Sequence, residues 1–229
     1  LTACERSMRI PVEIEFACEL PEEGRPVFYP LQLRPMASRH RWERVAIPEE
    51  LKERAFCYSH LAHGNGWVQG VCDLLCVKPE AFDVSRTREI AGEIGEVNRR
   101  LVEERRPYAL VGFGRWGSTD PSMGIGVSWA QISGVRVLVE VGLKGFNVEP
   151  AQGTHFFQNV TSLHIGCLTV PYGSQAFIRW ERLRSAAATE AETETLLHLR
   201  WERPLRIGID GLRGEGVMLL PGEEGEGGP

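Results

Sequence analysis

Glu13 and Glu15 in Pro11-Val-Glu-Ile-Glu-Phe-Ala17, with Gln32 and Arg34 in Leu31-Gln-Leu-Arg-Pro35, have the types and spacing to hold a metal–nucleotide group. Carboxylates are hard oxygen ligands suited to Mg²⁺, and a guanidinium matches the geometry of phosphate oxygens. Both runs alternate apolar and polar residues, as a strand with one face in a core does. Val12, Ile14 and Phe16 are expected on one side of the first strand, with Leu31 and Leu33 turned inward on the second. Pro21-Glu-Glu-Gly-Arg-Pro26 reads as a turn, so the strands form an antiparallel hairpin. With the turn centred between Glu23 and Gly24, Glu15 lies opposite Gln32 and Glu13 opposite Arg34. The same pattern also suits a solvated face whose cross-strand ion pairs contribute about 0.2–1 kcal/mol each. The residues alone leave both readings open.

The two segments Glu13-Ile-Glu-Phe-Ala17 and Leu31-Gln-Leu-Arg-Pro35 resemble the end of the ATP-binding domain of the phosphoenolpyruvate synthase and pyruvate phosphate dikinase family. There an acid-Ile-acid-aromatic-small strand leads through a short hairpin into a Gln-x-Arg-Pro strand. The resemblance implies that the hairpin closes an ATP-grasp-like site. Glu13, Glu15, Gln32 and Arg34 would then face Mg²⁺ and ATP, with Glu15 and Gln32 on the metal. It implies a parent that passes a phosphoryl group through a phosphohistidine toward pyruvate. It covers about the first 35 residues. The stretch from Arg106 to Asn159, with Gly-Arg-Trp-Gly-Ser-x-Asp-Pro and Gly-Thr-His-Phe-Phe-Gln-Asn, resembles an extension in bacterial phosphoenolpyruvate-synthase-like proteins, which assigns no catalytic residue to it. This chain has no Thr-x-Gly-Gly-x-x-x-His phosphohistidine motif and is too short for the pyruvate-binding barrel. By itself it is expected to be inactive in the full reaction, because only part of the phosphate-positioning apparatus is present.

Bulk properties narrow the classes. At 229 residues, with 42% hydrophobic and 25% charged residues, the chain can bury a sizeable core. A net charge of −5 offers no general attraction to nucleic acid or anionic membranes. No apolar run approaches the ~20 residues of a membrane span, and Leu1 does not open a signal segment. The expectation is a cytoplasmic piece of a longer protein, partnered by its own upstream ATP-binding lobe. Its six cysteines, without a C-x-x-C pair, read as buried thiols rather than disulfides or a zinc site.

The glycine-rich centre is the second place where chemistry is expected. Gly112-Phe-Gly-Arg-Trp-Gly117 matches G-x-G-x-x-G after a predicted strand, with Glu140 near the distance of a ribose-binding acid. A dinucleotide fingerprint should open a helix, and Ser118-Thr-Asp-Pro121 is poor helix material. A phosphate or other anion pocket, with backbone N–H groups and Arg115, competes with a tight turn that packs Trp116 on the core. Arg115, Asp120 and His155 are the candidate catalytic residues of that region. A regulatory domain binding phosphate or a dinucleotide at Gly112–Gly117 is the alternative to the phosphotransferase reading.

The elements that must position these residues follow from periodicity and breakers. Pro48 is expected to open a helix that closes at Gly64, with His60 and His63 near its end as capping residues. A helix from Ser85 to Arg106 carries the stripe Ile90, Ile94, Val97 and Leu101, with Ser85 as cap and Pro107 as stop. Strands are expected within Gly66–Lys78, at Tyr108–Val111 and Val135–Val141, and then as short runs at Cys167–Val170, Gln175–Trp180, Leu196–Trp201, Leu205–Ile209 and Gly216–Leu220. Ser185–Thr195 reads as a short helix or loop. The fold class is α+β, a mixed or antiparallel sheet with a few helices and a short-stranded C-terminal part. The domains are a terminal hairpin (1–45), an α+β domain (46–220) and a disordered tail (221–229).

Overall fold

The computed structural model describes residues 2–8, 12–21, 24–35, 45–146, 155–186 and 188–223. It divides into two compact units, Leu1–Trp42 and Glu43–Pro229. In the first, α1 (Thr2–Met8) precedes the antiparallel hairpin of β1 (Val12–Glu19) and β2 (Val27–Pro35). The basic stretch Arg39–Arg41 and the tail from 224 onward lie outside the described residues.

The second unit is an α+β fold. Its elements are α2 (Glu49–Arg54), β3 (Cys57–Ser59), β4 (Leu61–His63), β5 (Gly66–Val68), β6 (Asp73–Val77), α3 (Thr87–Glu103), β7 (Tyr108–Phe113), β8 (Arg115–Trp116), β9 (Gly124–Ile125) and β10 (Val135–Val141). They continue through α4 (His155–Ser162), β11 (Gly166–Val170), β12 (Phe177–Ile178), α5 (Trp180–Ala186), β13 (Ala188–Glu192), β14 (Leu196–Arg200), β15 (Arg206–Asp210) and β16 (Glu215–Leu219). A seven-stranded mixed sheet runs β13-β14-β6-β7-β10-β11-β4, with β6, β7, β10 and β11 parallel. A five-stranded antiparallel sheet runs β12-β3-β16-β15-β5.

The central strands are parallel because helices return the chain. The α3 stripe Ile90, Ile94 and Leu101 is fully buried, and Pro107 ends the segment after Arg105 enters the left-handed region at φ 56°. The start differs from expectation in its cap: the Asp83 carboxylate accepts from the Ser85 backbone N–H at 2.7 Å, so the acid caps the turn that leads into the helix. Right-handed crossovers place α3 and α4 on one face of the large sheet. The Tyr108 hydroxyl donates to Asn98 on α3 from that face, and the His63 ring meets Phe157 of α4 edge-on at 4.8 Å. On the other face, α5 brings Trp180 and Leu183 to Cys76, Leu197 and Leu199. At the β11 end of that face the smaller sheet approaches so closely that a Cβ on Gly216 would stand 3.0 Å from Ala62 and Leu168.

Three expectations change. The helix opened by Pro48 stops at Arg54, and Cys57–His63 is extended. Arg179 closes that short helix by donating to the carbonyls of Glu53 and Ala55 at 2.5 and 2.6 Å. Gln175–Trp180 is only partly a strand, because Trp180 starts α5. The Ala/Thr/Glu-rich segment is neither helix nor loop over Ala188–Glu192, where β13 pairs with β14 at the sheet edge.

Candidate functional site

The hairpin register sets Glu13 against Arg34 and Glu15 against Gln32. Directly opposed residues of an antiparallel pair share a face. These pairs are the expected ones, although the strands nearer the turn are one residue out of that register. Glu15 and Gln32 are exposed, and the side chains of Glu13 and Arg34 lie outside the described residues. Between Glu15 and Phe16 the register shifts, so Phe16 opposes Pro30 and Leu31 is the additional residue of a β-bulge. The inward placement expected of Leu31 and Leu33 is therefore not found: they are 64% and 43% exposed. Among the described residues no group of three or more His, Cys, Asp or Glu side chains is arranged to hold a metal ion. The Glu15 carboxylate and the Gln32 amide oxygen form a two-donor edge. It fits a Mg²⁺ that takes its remaining positions from phosphate oxygens and water, the usual habit of that ion.

The glycine-rich centre lies where ligands of parallel sheets commonly bind, beyond the carboxyl ends of the strands. Its construction is that of a packed turn. Gly112 ends its row on β7 without a side chain, and an added Cβ would stand 2.5 Å from the Trp116 ring. Trp116 folds back over that gap, 2% exposed, and its indole N–H donates to the Val139 carbonyl at 3.1 Å. Gly114 and Gly117 take φ +74° and +72°, and a Cβ at Gly117 would strike Phe156 at 2.1 Å. Rather than a helix, β9 and a 3₁₀ turn at Trp129–Ile132 follow the loop, so the dinucleotide context fails as its sequence implied.

The backbone donors of that loop are engaged within the chain. Gly114 N–H donates to the Val141 carbonyl, Arg115 N–H to Met123 and Gly117 N–H to Ile125, at 3.0, 2.8 and 2.9 Å. Trp116 N–H donates to Glu140 Oε1 at 3.2 Å. Glu140 is 5% exposed and also accepts from the Thr169 hydroxyl at 3.5 Å. Its carboxylate thus receives the turn, which accounts for the acid at that position without a ribose. An anion held here would rely on side chains, not on an amide cradle.

The three candidate catalytic residues stand on separate elements. Arg115 is half-buried on β8. Asp120 is exposed and accepts from the Ser122 N–H and hydroxyl at 2.9 and 2.7 Å, bonds that hold its carboxyl below the usual range. That is the chemistry of a turn residue. His155 opens α4, and its side chain lies outside the described residues. His60 and His63 do not form a ligand pair at a helix end. His63 lies on β4 opposite Cys167, and burial lowers its pKa.

Sequence reading missed a polar cluster at the other end of the sheet. Asp73, fully buried at the start of β6, accepts from His198 Nε2 at 2.7 Å and Arg200 Nε at 2.8 Å on one oxygen. Arg106 donates to the other through Nε at 2.8 Å and Nη2 at 2.7 Å. Arg100 Nη2 lies 3.3 Å from His198 Nδ1, which makes Nδ1 the acceptor and Nε2 the protonated nitrogen. Burial alone would raise the Asp73 pKa, but the three donors overcome it and hold the carboxyl at about 2. Because every donor comes from the sheet or the end of α3, the cluster is a brace. Asp73 alone in an apolar run was the available signal.

All six cysteines are free; Cys57, Cys76 and Cys167 are buried as expected, whereas Cys18 is exposed and Cys4 and Cys72 are half-buried. Burial pushes the Cys76 thiol up to about 12, far from a reactive thiolate. No helix among the described residues is long and apolar enough to cross a membrane. Set against protein-family models, curated proteins and solved structures, the chain matches none of them.

Proposed function

We propose that this chain is the C-terminal part of a cytoplasmic ATP-dependent phosphotransferase similar to phosphoenolpyruvate synthase. The hairpin supplies part of the Mg·ATP site, and residues 46–220 form an α+β body to which the resemblance assigns no catalytic residue. One observation supports this reading most: the register pairs Glu15 with Gln32 and Glu13 with Arg34, so the residues of both motifs share one face. A carboxylate and an amide on the metal, with a guanidinium beside the phosphates, position a triphosphate electrostatically, which is most of what phosphoryl transfer asks of a protein. The upstream lobe of the same protein would complete the site and supply the phosphohistidine. The Gly112–Gly117 alternative is less well supported, since its amides are engaged within the chain.

The test is thermal denaturation of the full chain with Mg·ATP, ADP, NADP, phosphate and phosphoenolpyruvate. A ligand at a hundred times its dissociation constant adds about 2.7 kcal/mol. Mg·ATP is expected to stabilise the chain, and Glu15→Ala or Gln32→Ala to remove most of that shift. Stabilisation by phosphate or NADP that survives both substitutions and disappears in Arg115→Ala would instead place the function at the glycine-rich loop.

A further inference from the structure

The bulge at Leu31 changes which aromatic residue accompanies Glu15 and Gln32. In a regular strand Tyr29 and Gln32, three positions apart, point to opposite faces. With Leu31 as the additional residue, Ala17 opposes Tyr29, Cys18 opposes Phe28 and Glu19 opposes Val27. Counting along β1, Glu13, Glu15, Ala17 and Glu19 share the polar face, so Tyr29 joins it. Two contacts agree with this sorting. The Tyr29 hydroxyl donates to Glu19 Oε2 at 3.2 Å on that face. Phe28 instead meets Phe16, with ring centroids 4.5 Å apart, on the opposite one.

Beyond the metal edge the polar face therefore continues as Ala17 and Tyr29, then Glu19. Tyr29 is 47% exposed, and its neighbour across the hairpin is a single methyl group, which leaves the space beside the ring open. The ring is tethered by its hydroxyl, so less rotamer freedom remains to be lost on binding. Gln32 and Tyr29 oppose Glu15 and Ala17, which are two residues apart, so they stand about 7 Å apart along the strands, and the outward reach of the side chains extends this toward the separation of the terminal phosphates and the base of a nucleoside triphosphate. An aromatic face binds a base of any kind by stacking.

We propose that Tyr29 and Ala17 form the nucleoside end of the hairpin site, with Tyr29 under the base and Glu19 holding the ring in place through its hydroxyl. This rests on the reading of Glu15 and Gln32 as the Mg·phosphate end. The experiment is calorimetric titration of the full chain with Mg·ATP and with Mg·tripolyphosphate, which has the phosphates and no nucleoside. The wild type is expected to bind Mg·ATP about tenfold or more tighter. Tyr29→Ala is expected to erase that preference while leaving tripolyphosphate affinity unchanged, which also shows that the variant is folded. Tyr29→Phe should keep the preference. If Tyr29→Ala retains the preference, or weakens both ligands equally, the nucleoside assignment is overturned while the phosphate end stands. If Glu15→Ala leaves tripolyphosphate binding intact, or the wild type binds neither ligand, the underlying Mg·ATP reading fails and this one with it.

Discussion

At Gly112 a missing side chain is filled by a residue four positions later. The Trp116 ring occupies the space that a Cβ would need, and its backbone N–H is capped by Glu140 from the neighbouring strand. Overpacking a filled site typically costs about 1–3 kcal/mol. Gly112→Ala is accordingly expected to lower stability by at least that much in urea titration and to red-shift tryptophan emission as Trp116 is displaced. An unchanged midpoint and spectrum would mean that the ring does not lie over Gly112. A G-x-G-x-x-G string can serve a phosphate or a tryptophan, and the sequence does not distinguish them. The difference lies in where four N–H groups point, and all four acceptors belong to residues outside the motif: Val141, Met123, Glu140 and Ile125.

The elements owe their arrangement to pairings of different reach. In the hairpin the turn sets the pairs Glu19–Val27 to Phe16–Pro30, and Glu15 meets Gln32 only across the bulge, so the strands themselves were readable from the sequence. The bulge was not, because an extra residue in β2 is visible only in the paired strands. Deleting Leu31 removes the additional residue and is expected to restore regular alternation with Tyr29 still opposite Ala17 and Gln32 opposite Glu15. Nuclear Overhauser contacts between the Ala17 methyl and the Tyr29 ring are then expected in both chains, and their loss on deletion would show that the strands slip instead. The Asp73 brace joins β6, β14 and the end of α3. Its pKa is lowered from 3.8 to about 2, so its contribution is complete above about pH 4 and is lost as pH falls through 2. That difference amounts to about 2 kcal/mol. Asp73→Asn removes the charge shared by buried His198 and half-buried Arg106 and Arg200, the last of which keeps Glu104 and Glu190, and is expected to destabilise the chain by about 1–3 kcal/mol at pH 7. Urea titrations at pH 7 and pH 3 should show a smaller acid loss in the variant than in the wild type; equal acid losses would remove Asp73 from the pH dependence.

At the scale of the whole molecule, two compact units meet at Trp42 and Glu43 in the chain. The second carries an extensive core from Phe56 to Leu220. A chain beginning at Glu43 is therefore expected to keep a single cooperative thermal transition, and a broad, non-cooperative one would show that the core depends on the first 42 residues. What the sequence by itself determined were features of short range. Alternation marked the hairpin, a 3.6-residue stripe and a proline marked α3, and predominantly apolar runs marked β7 and β10. These are consequences of local sterics and of one buried face. Tertiary structure decided the rest. Cys57–His63 is strand because β16 and β11 pair with it, although its apolar residues also fit a helix. Ala188–Glu192 is strand despite helix-forming composition because β14 offers an edge. Whether Gly112 cradles a ligand or a ring, which face Tyr29 joins and what Asp73 holds were settled by partners distant in sequence or by a strand register, and neither is encoded in local periodicity.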